Sequence, residues 1–235
     1  MNFLLVHGLG LSSRIWSDLV PYLKGEIIAI DLPGHGDSSC YDFSWDGIYQ
    51  TIVDSISKDE WMNTVLVLHS FSSCALPEII QGGVRPKCIL ILEGPLISSP
   101  YSWTSRVANL DDTEYLKWLG KFKEAAEISL RVQLVSRHSR EKLKYWSDGF
   151  KRVNPKALRV MAANLYRRIE SNELPKTVRG HAKNIRYICG GRSCLNPGAL
   201  EVAKTLQLSI DFVPNSKHFP MIDNPSILSL LIMQG

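Results

Sequence analysis

Residues 65–74 read VLVLHSFSSC, an apolar run that breaks at its end into His69, Ser70, Phe71, Ser72 and Ser73. A serine at the point where a buried strand turns sharply into a helix is the arrangement that exposes a nucleophilic hydroxyl. Here the helix-like SSCALPEIIQ follows directly. Such turns are strained and want small residues two before and two after the nucleophile, because side chains there collide with neighbouring backbone. Ser72 meets that demand and Leu68 does not. The decapeptide alone leaves Ser70 open between a nucleophile and a serine that ends a strand.

A serine hydroxyl is a weak nucleophile until an oriented histidine takes its proton. Of six histidines, His218 in PNSKHFPMIDNP follows the last strand-like run by a short loop and so falls at the same sheet edge as Ser70. His7 and His35 also follow strand-like runs. His7, in VHGLG, is expected to shape a loop whose glycines let backbone N–H groups face a developing oxyanion, and His35, in DLPGHGDSS, is expected to hold a turn. His69 precedes Ser70 and should point away from it, while His138 and His181 lie in or beside a charged helical stretch, where surface roles are expected. His218 is the candidate base.

The elements that must position these groups are legible as a pattern. At 235 residues, 45% hydrophobic and 21% charged, the chain is long enough for one sizeable core. FLLVHG, GEIIAIDLPG, TVLVLHS and CILILEG are short Val-, Ile- and Leu-rich runs separated by helix-length segments, as in parallel strands buried on both faces. SSRIWSDLVPYL and SWDGIYQTIVDSI read as helices with Ser or Asp near their starts. The strand signal lapses after Ile97 and returns in KNIRYICGG and LSIDFVPNS, with helical GALEVAKTL between them and NPSILSLLIM at the end. The expected fold is α/β, a mostly parallel central sheet with flanking helices, in which residues 1–97 and 180–235 form the core and 98–179 a helical insert.

LLVHGLGLSSRIWSDLVPYL, IIAIDLPGHGDSS, VLVLHSFSS and SKHFPMIDNP follow one another in the order and spacing of the α/β-hydrolase fold, and the chain resembles its cap-bearing, small serine esterase-like branch. The resemblance covers everything except the insert. It implies Ser70 as nucleophile, His218 as base and the backbone N–H groups of Leu9 and Phe71 as the oxyanion hole. A serine nucleophile also separates the chain from haloalkane dehalogenases and epoxide hydrolases, which use aspartate. Two departures stand out. Leu68 occupies the place where the family has glycine. The acid most members carry after the penultimate strand has no counterpart in CGGRSCLNPG, which offers Arg192, Ser193, Cys194 and Asn196. Some relatives carry the acid instead at the end of the strand that follows the nucleophile helix, and Glu93 in CILILEGPLISS stands there. Its other reading is a strand-end carboxylate that binds loop backbone or water. Asp211, inside the last strand, and Asp223, in a helix-capping position, are weaker rivals; Asp31 and Asp37 are expected to brace the DLPGHGDSS turn.

The insert is expected to cap the site. Its aromatics, Tyr101 and Tyr115 among them, should mostly form its own core, with Trp103, Trp118 and Trp146 as candidate pocket residues selecting an acyl or aromatic group. Between residues 97 and 180 there are 17 Lys and Arg against 9 Asp and Glu, a balance of +8, whereas the rest of the chain is at −4. A solvated helical surface, an anionic substrate or a docked partner would each account for that. No aromatic-basic motif or groove-reading helix points to nucleic acid, no run reaches the roughly 18 apolar residues of a membrane span, and no leader is apparent. Five cysteines without C-x-x-C spacing read as buried free thiols in a cytoplasmic protein, with no metal or cofactor required. A first strand at the very start of the chain leaves a sheet edge on which dimers could pair, so monomer and dimer both stand. Function divides between a serine hydrolase acting on a small carboxylic ester or thioester and a catalytically weak, hydrolase-like binding protein.

Overall fold

The structure, a computed structural model, describes residues 1–97, 103–193 and 197–235. Tyr101, Cys194 and Asn196 lie outside the described residues. One parallel sheet is built from β1 (Asn2–Val6), β2 (Glu26–Ile30), β3 (Thr64–His69), β4 (Cys88–Leu92), β5 (Ile185–Gly190) and β6 (Ser209–Val213), in the order β2-β1-β3-β4-β5-β6. Every residue of β3 and β4 is buried, which is why they read as unbroken apolar runs and not as an alternation. One side of the sheet buries Leu4, Val6, Leu66, Leu68, Ile89 and Ile91; the other buries Phe3, Leu5, Val65, Val67, Leu90 and Leu92.

Parallel neighbours need crossover connections, and helices supply them. Two are α1 (Trp45–Val53) and α2 (Leu76–Gln81). Between β4 and β5 lie α3 (Trp103–Ala108), α4 (Asp112–Glu124), α5 (Ala126–Val132), α6 (Arg140–Arg152), α7 (Pro155–Glu170) and α8 (Glu173–His181). After β5 come α9 (Pro197–Thr205), α10 (Pro220–Asp223) and α11 (Pro225–Met233). The caps are local sequence features. The Ser44 hydroxyl accepts from the Gly47 N–H at α1, Asp111 and Glu114 form a reciprocal capping box at α4, and Asn154 precedes Pro155 at α7. The stretch 12–23, expected as a helix, forms instead two 3₁₀ turns, Ser13–Trp16 and Val20–Tyr22. The Ser13 N–H is drawn to Asp31 Oδ1 at 2.6 Å, and Pro21 has no N–H with which to continue an α-helix.

Part of the segment's positive charge is paired across the boundary between α3–α8 and the rest of the chain. Lys142 pairs with Asp18 at 2.7 Å, Arg152 with Asp37 at 2.5 Å and Arg168 with Glu78 at 2.5 Å; Arg14 meets Asp148 of the segment at 3.0 Å. Exposed pairs of this kind contribute at most about 1 kcal/mol each. Arg168 is different, being buried, held by both Glu78 oxygens and the Cys74 carbonyl, and stacked 4.6 Å from the Trp45 ring. Gly149 of α6 marks a close backbone approach, since a Cβ there would stand 2.5 Å from the Leu11 carbonyl carbon. Cys74 and Cys88 are buried free thiols, as expected, whereas Cys40 and Cys189 are free but only partly buried.

Candidate active site

The register places the nucleophile and acid candidates side by side. His69 pairs with Leu92 across β3 and β4, so Ser70 and Glu93 are the first residues beyond the carboxyl ends of adjacent central strands, where an α/β sheet presents its ligands. Both have left-handed backbones, φ 53° at Ser70 and φ 54° at Glu93. Residues other than glycine pay of order 1–3 kcal/mol for such a conformation, and it persists where surrounding structure enforces it. At Ser70 the enforcement is visible. The Ser72 hydroxyl donates to the Val6 carbonyl at 3.1 Å and the His69 carbonyl at 3.0 Å, and Ser73 closes back on the Ser70 carbonyl at 2.7 Å. Leu68, the departure from the family pattern, is fully buried in the core, and the turn after Ser70 runs as a 3₁₀ helix, Ser70–Ala75, before α2 begins.

Glu93 bonds both the loop after β5 and His218. Oε1 accepts the Gly190 N–H at 2.5 Å, and Oε2 accepts the Ser193 hydroxyl at 2.6 Å and faces His218 Nδ1 at 3.3 Å. The carboxylate therefore anchors the loop after β5 and holds the histidine ring at once. With Nδ1 donating to Glu93, the bare nitrogen of a neutral His218 is Nε2, the form a general base requires. Gly190 is needed here for space, because a Cβ would stand 2.1 Å from the Lys217 carbonyl oxygen, in the segment that carries His218. Asp211 pairs with Arg186 at 2.7 Å. Asp223, expected to cap a helix, does not: it accepts the N–H groups of Val135, Ser136 and Lys217 at 2.8–3.0 Å, tying the α5–α6 loop to the His218 loop.

The VHGLG loop is held from beneath. His7 Nδ1 donates to the Gly8 carbonyl and Nε2 accepts the Leu32 N–H; His35 Nδ1 donates to the Pro33 carbonyl and Nε2 accepts the Gly10 N–H at 3.0 Å. Asp31 takes the N–H groups of Ser13 and Asp37, bracing the turn. The Gly10 amide is committed to His35, and Gly8, Leu9 and Leu11 join Phe71 at the cavity wall beside Ser70. Burial drives the pKa of His7 and His69 below the usual histidine range and that of His35 down to about 3.

These three neutral histidines fix a pH response. Between the depressed native values and the unfolded value near 6.5, the unfolded chain binds more protons, so stability is complete above about pH 6.5 and falls as pH drops through that window. Each contributes up to about 1.4 kcal/mol per pH unit there. Urea unfolding from pH 7.5 to 4.5 is expected to show this decline, shallower in His35→Gln; a flat profile would contradict the buried neutral assignment.

A cavity of about 460 Å³ opens over Ser70, Glu93 and His218. The helical segment contributes Trp103, Trp118, Phe122 and Phe150 to its aromatic wall, beside Phe71 and Phe219. Trp103 and Trp118 stack at 5.5 Å, Trp118 and Phe122 at 4.8 Å, and Phe150 meets Phe122 edge-on at 5.3 Å. Trp146, expected on this wall, is not there. It is 1% exposed, donates its indole N–H to Ser17 Oγ at 3.0 Å and packs against the His138 ring, forming part of the contact between α6 and the 3₁₀ turns. No Lys or Arg lines the cavity among the described residues, and residues 98–102 and 194–196 contain none in sequence.

Comparison with known proteins agrees with this architecture. An esterase from Thermogutta terrifontis superposes with a TM-score of 0.78 at 16% identity, covering 100% of this chain and 88% of that one. The haloalkane dehalogenase DatA from Agrobacterium tumefaciens, in the structure of a point mutant, gives 0.76 at 17% identity over 99% and 88%. At such identities the likeness is one of fold, and the fold hosts both chemistries. A pimeloyl-[acyl-carrier protein] methyl ester esterase of Legionella pneumophila is 38% identical over 58 residues, a stretch spanning 24% of this chain and 23% of that relative. The family model for alpha/beta hydrolases matches residues 3–228, nearly the whole length, and the chain belongs to the alpha/beta hydrolase family.

Proposed function

We propose that this hydrolase cleaves a small carboxylic ester or thioester through an acyl-enzyme, with Ser70 as nucleophile, His218 as general base and acid, and Glu93 as the acid of the triad. One observation carries the reading: Ser70, strained at a strand end, shares a cavity with a histidine whose Nδ1 is held by Glu93. Ser70 Oγ attacks the carbonyl carbon as His218 Nε2 takes its proton, and the N–H groups of Leu9 and Phe71 receive the oxyanion. His218 then protonates the leaving alcohol or thiol. Water, deprotonated by the same nitrogen, releases the acid and restores Ser70. Residues 98–179 act as the cap that supplies the acyl pocket, and free thiols fit a cytoplasmic setting.

The substrate class follows from the cavity wall. Stacked indole and phenyl rings with no cation among them favour a neutral, apolar acyl group, and a free carboxylate would lose its hydration there without a partner. The short match to a methyl ester esterase supports an ester as the bond cleaved. The test compares the p-nitrophenyl esters of hexanoate, of adipate with its far carboxylate free, and of adipate methylated at that end. The free acid is expected to lose about 100-fold or more in kcat/KM against its methyl ester, a loss of about 2.7 kcal/mol. Equal rates would contradict an apolar acyl pocket, and no turnover of any of the three would count against ester chemistry.

A further inference from the structure

His69 immediately precedes Ser70, yet its side chain leaves the site on the other face of the sheet and is fully buried beside Trp16 and Phe219. Its Nε2 lies 3.0 Å from the backbone carbonyl of His218, 149 residues away in sequence. A carbonyl only accepts, so Nε2 carries the proton and the ring is a donor. The two imidazole centroids are 4.9 Å apart. From these contacts we infer that His69 is a positioning residue for catalysis, tying the backbone of the His218 loop to the strand end that presents Ser70; the inference rests on the triad proposed above.

The geometry makes this tie different from ordinary loop packing. Glu93 fixes one ring nitrogen of His218, and His69 fixes its backbone, so ring and main chain are restrained from two separate strands, β4 and β3. Because His69 is bonded covalently to Ser70, its ring and one hydrogen bond form a short direct link between the backbones of nucleophile and base. His69 must also remain neutral. When His218 accepts the serine proton it becomes a cation at this short range, and a second charged ring would oppose that step. Burial, followed by the proximity of His218, holds the His69 pKa well below the ordinary histidine range. Its Nδ1, buried and without a partner among the described residues, is consistent with one committed donor and no second role.

The test uses three variants whose folding is checked by thermal unfolding, with fluorophosphonate labelling of Ser70 and steady-state hydrolysis of p-nitrophenyl acetate as readouts. His69→Leu removes the donor. In His69→Gln the amide nitrogen falls near the place of Nε2, and in His69→Asn it falls short. Small displacements of a catalytic group cost up to about 100-fold. The expectation is therefore a kcat loss of about 10- to 100-fold in Leu and Asn, little change in KM, a matching fall in labelling rate, and recovery of most of both in Gln. Should Leu fail to fold, the Gln and Asn pair decides. Equal losses in Gln and Asn, or a KM effect with kcat intact, would overturn the positioning role. Wild-type protein that is labelled, alongside a folded His69→Leu labelled equally fast, would refute the inference while leaving the triad standing. Wild-type protein that is not labelled would remove both.

Discussion

Glu93→Gln is expected to lower kcat about ten thousand-fold in a protein that still folds, because the substitution keeps the shape of the side chain and puts a donor where one oxygen accepts from both Ser193 and His218. Glu93 Oε1 accepts from Gly190 and Oε2 from Ser193 and His218. A glutamine retains one acceptor for the Gly190 amide but turns an N–H toward His218 Nδ1. The ring must then accept at Nδ1 and carry its proton on Nε2, the tautomer that cannot receive the serine proton. The analogous exchange in serine proteases costs about 10⁴-fold. Rescue is informative: Glu93→Asp, one methylene shorter, should restore the tautomer but not the reach, giving activity between the two. Pre-steady-state acylation with p-nitrophenyl acetate reads the effect directly, and an acylation rate in Glu93→Gln within a few-fold of the wild-type protein would remove Glu93 from the triad.

Ser70→Ala is expected to have the larger effect, of order a million-fold in kcat, since removal of a nucleophile leaves only binding and oxyanion stabilisation. Its stability should change little or improve. The left-handed backbone at Ser70 costs alanine as much as serine, and none of the elbow bonds depends on the Ser70 hydroxyl, because Ser72 and Ser73 provide them through their own side chains. A folded, stable and inert Ser70→Ala protein is the expected outcome. Retention of more than about a hundredth of the activity would mean that another group attacks.

Much of this site was legible in the sequence for one reason. Parallel strands buried on both faces produce unbroken apolar runs, and an α/β sheet collects its reactive groups at the carboxyl end of each run. Ser70, Glu93 and His218 each follow such a run, so order along the chain translated into proximity in space. The cap at Ser44 was legible for a similar reason, being local: its hydroxyl accepts from Gly47, three residues on, whereas the cap expected at the start of the 12–23 stretch makes no such bond. What sequence could not show depends on contacts between distant segments. Trp103 and Trp118 line the cavity whereas Trp146 packs on Ser17 and His138, and all three look alike in a helical pattern because an aromatic facing a cavity and one facing a core share the same periodicity. The Ser13 amide that opens the 3₁₀ turns of residues 13–22 is taken by Asp31, a contact between distant segments. The bond from His69 to the carbonyl of His218 has no local signature at all.

The basic balance of the helical segment shows how a composition signal can be real and still misdirect. The cations are there, but Lys142, Arg152 and Arg168 pair with Asp18, Asp37 and Glu78 outside the segment, and the cavity wall has no Lys or Arg among the described residues. Charge that might have pointed to an anionic substrate instead joins two oppositely charged parts of one chain.

The central claim is that Ser70 is an activated nucleophile. Its most direct test is intact-mass analysis after incubation with a fluorophosphonate, which needs no knowledge of the natural substrate. The account expects one adduct per chain in the wild-type protein within minutes and none in Ser70→Ala. A wild-type protein that stays folded and unmodified, or a Ser70→Ala variant that is modified as readily, would contradict it.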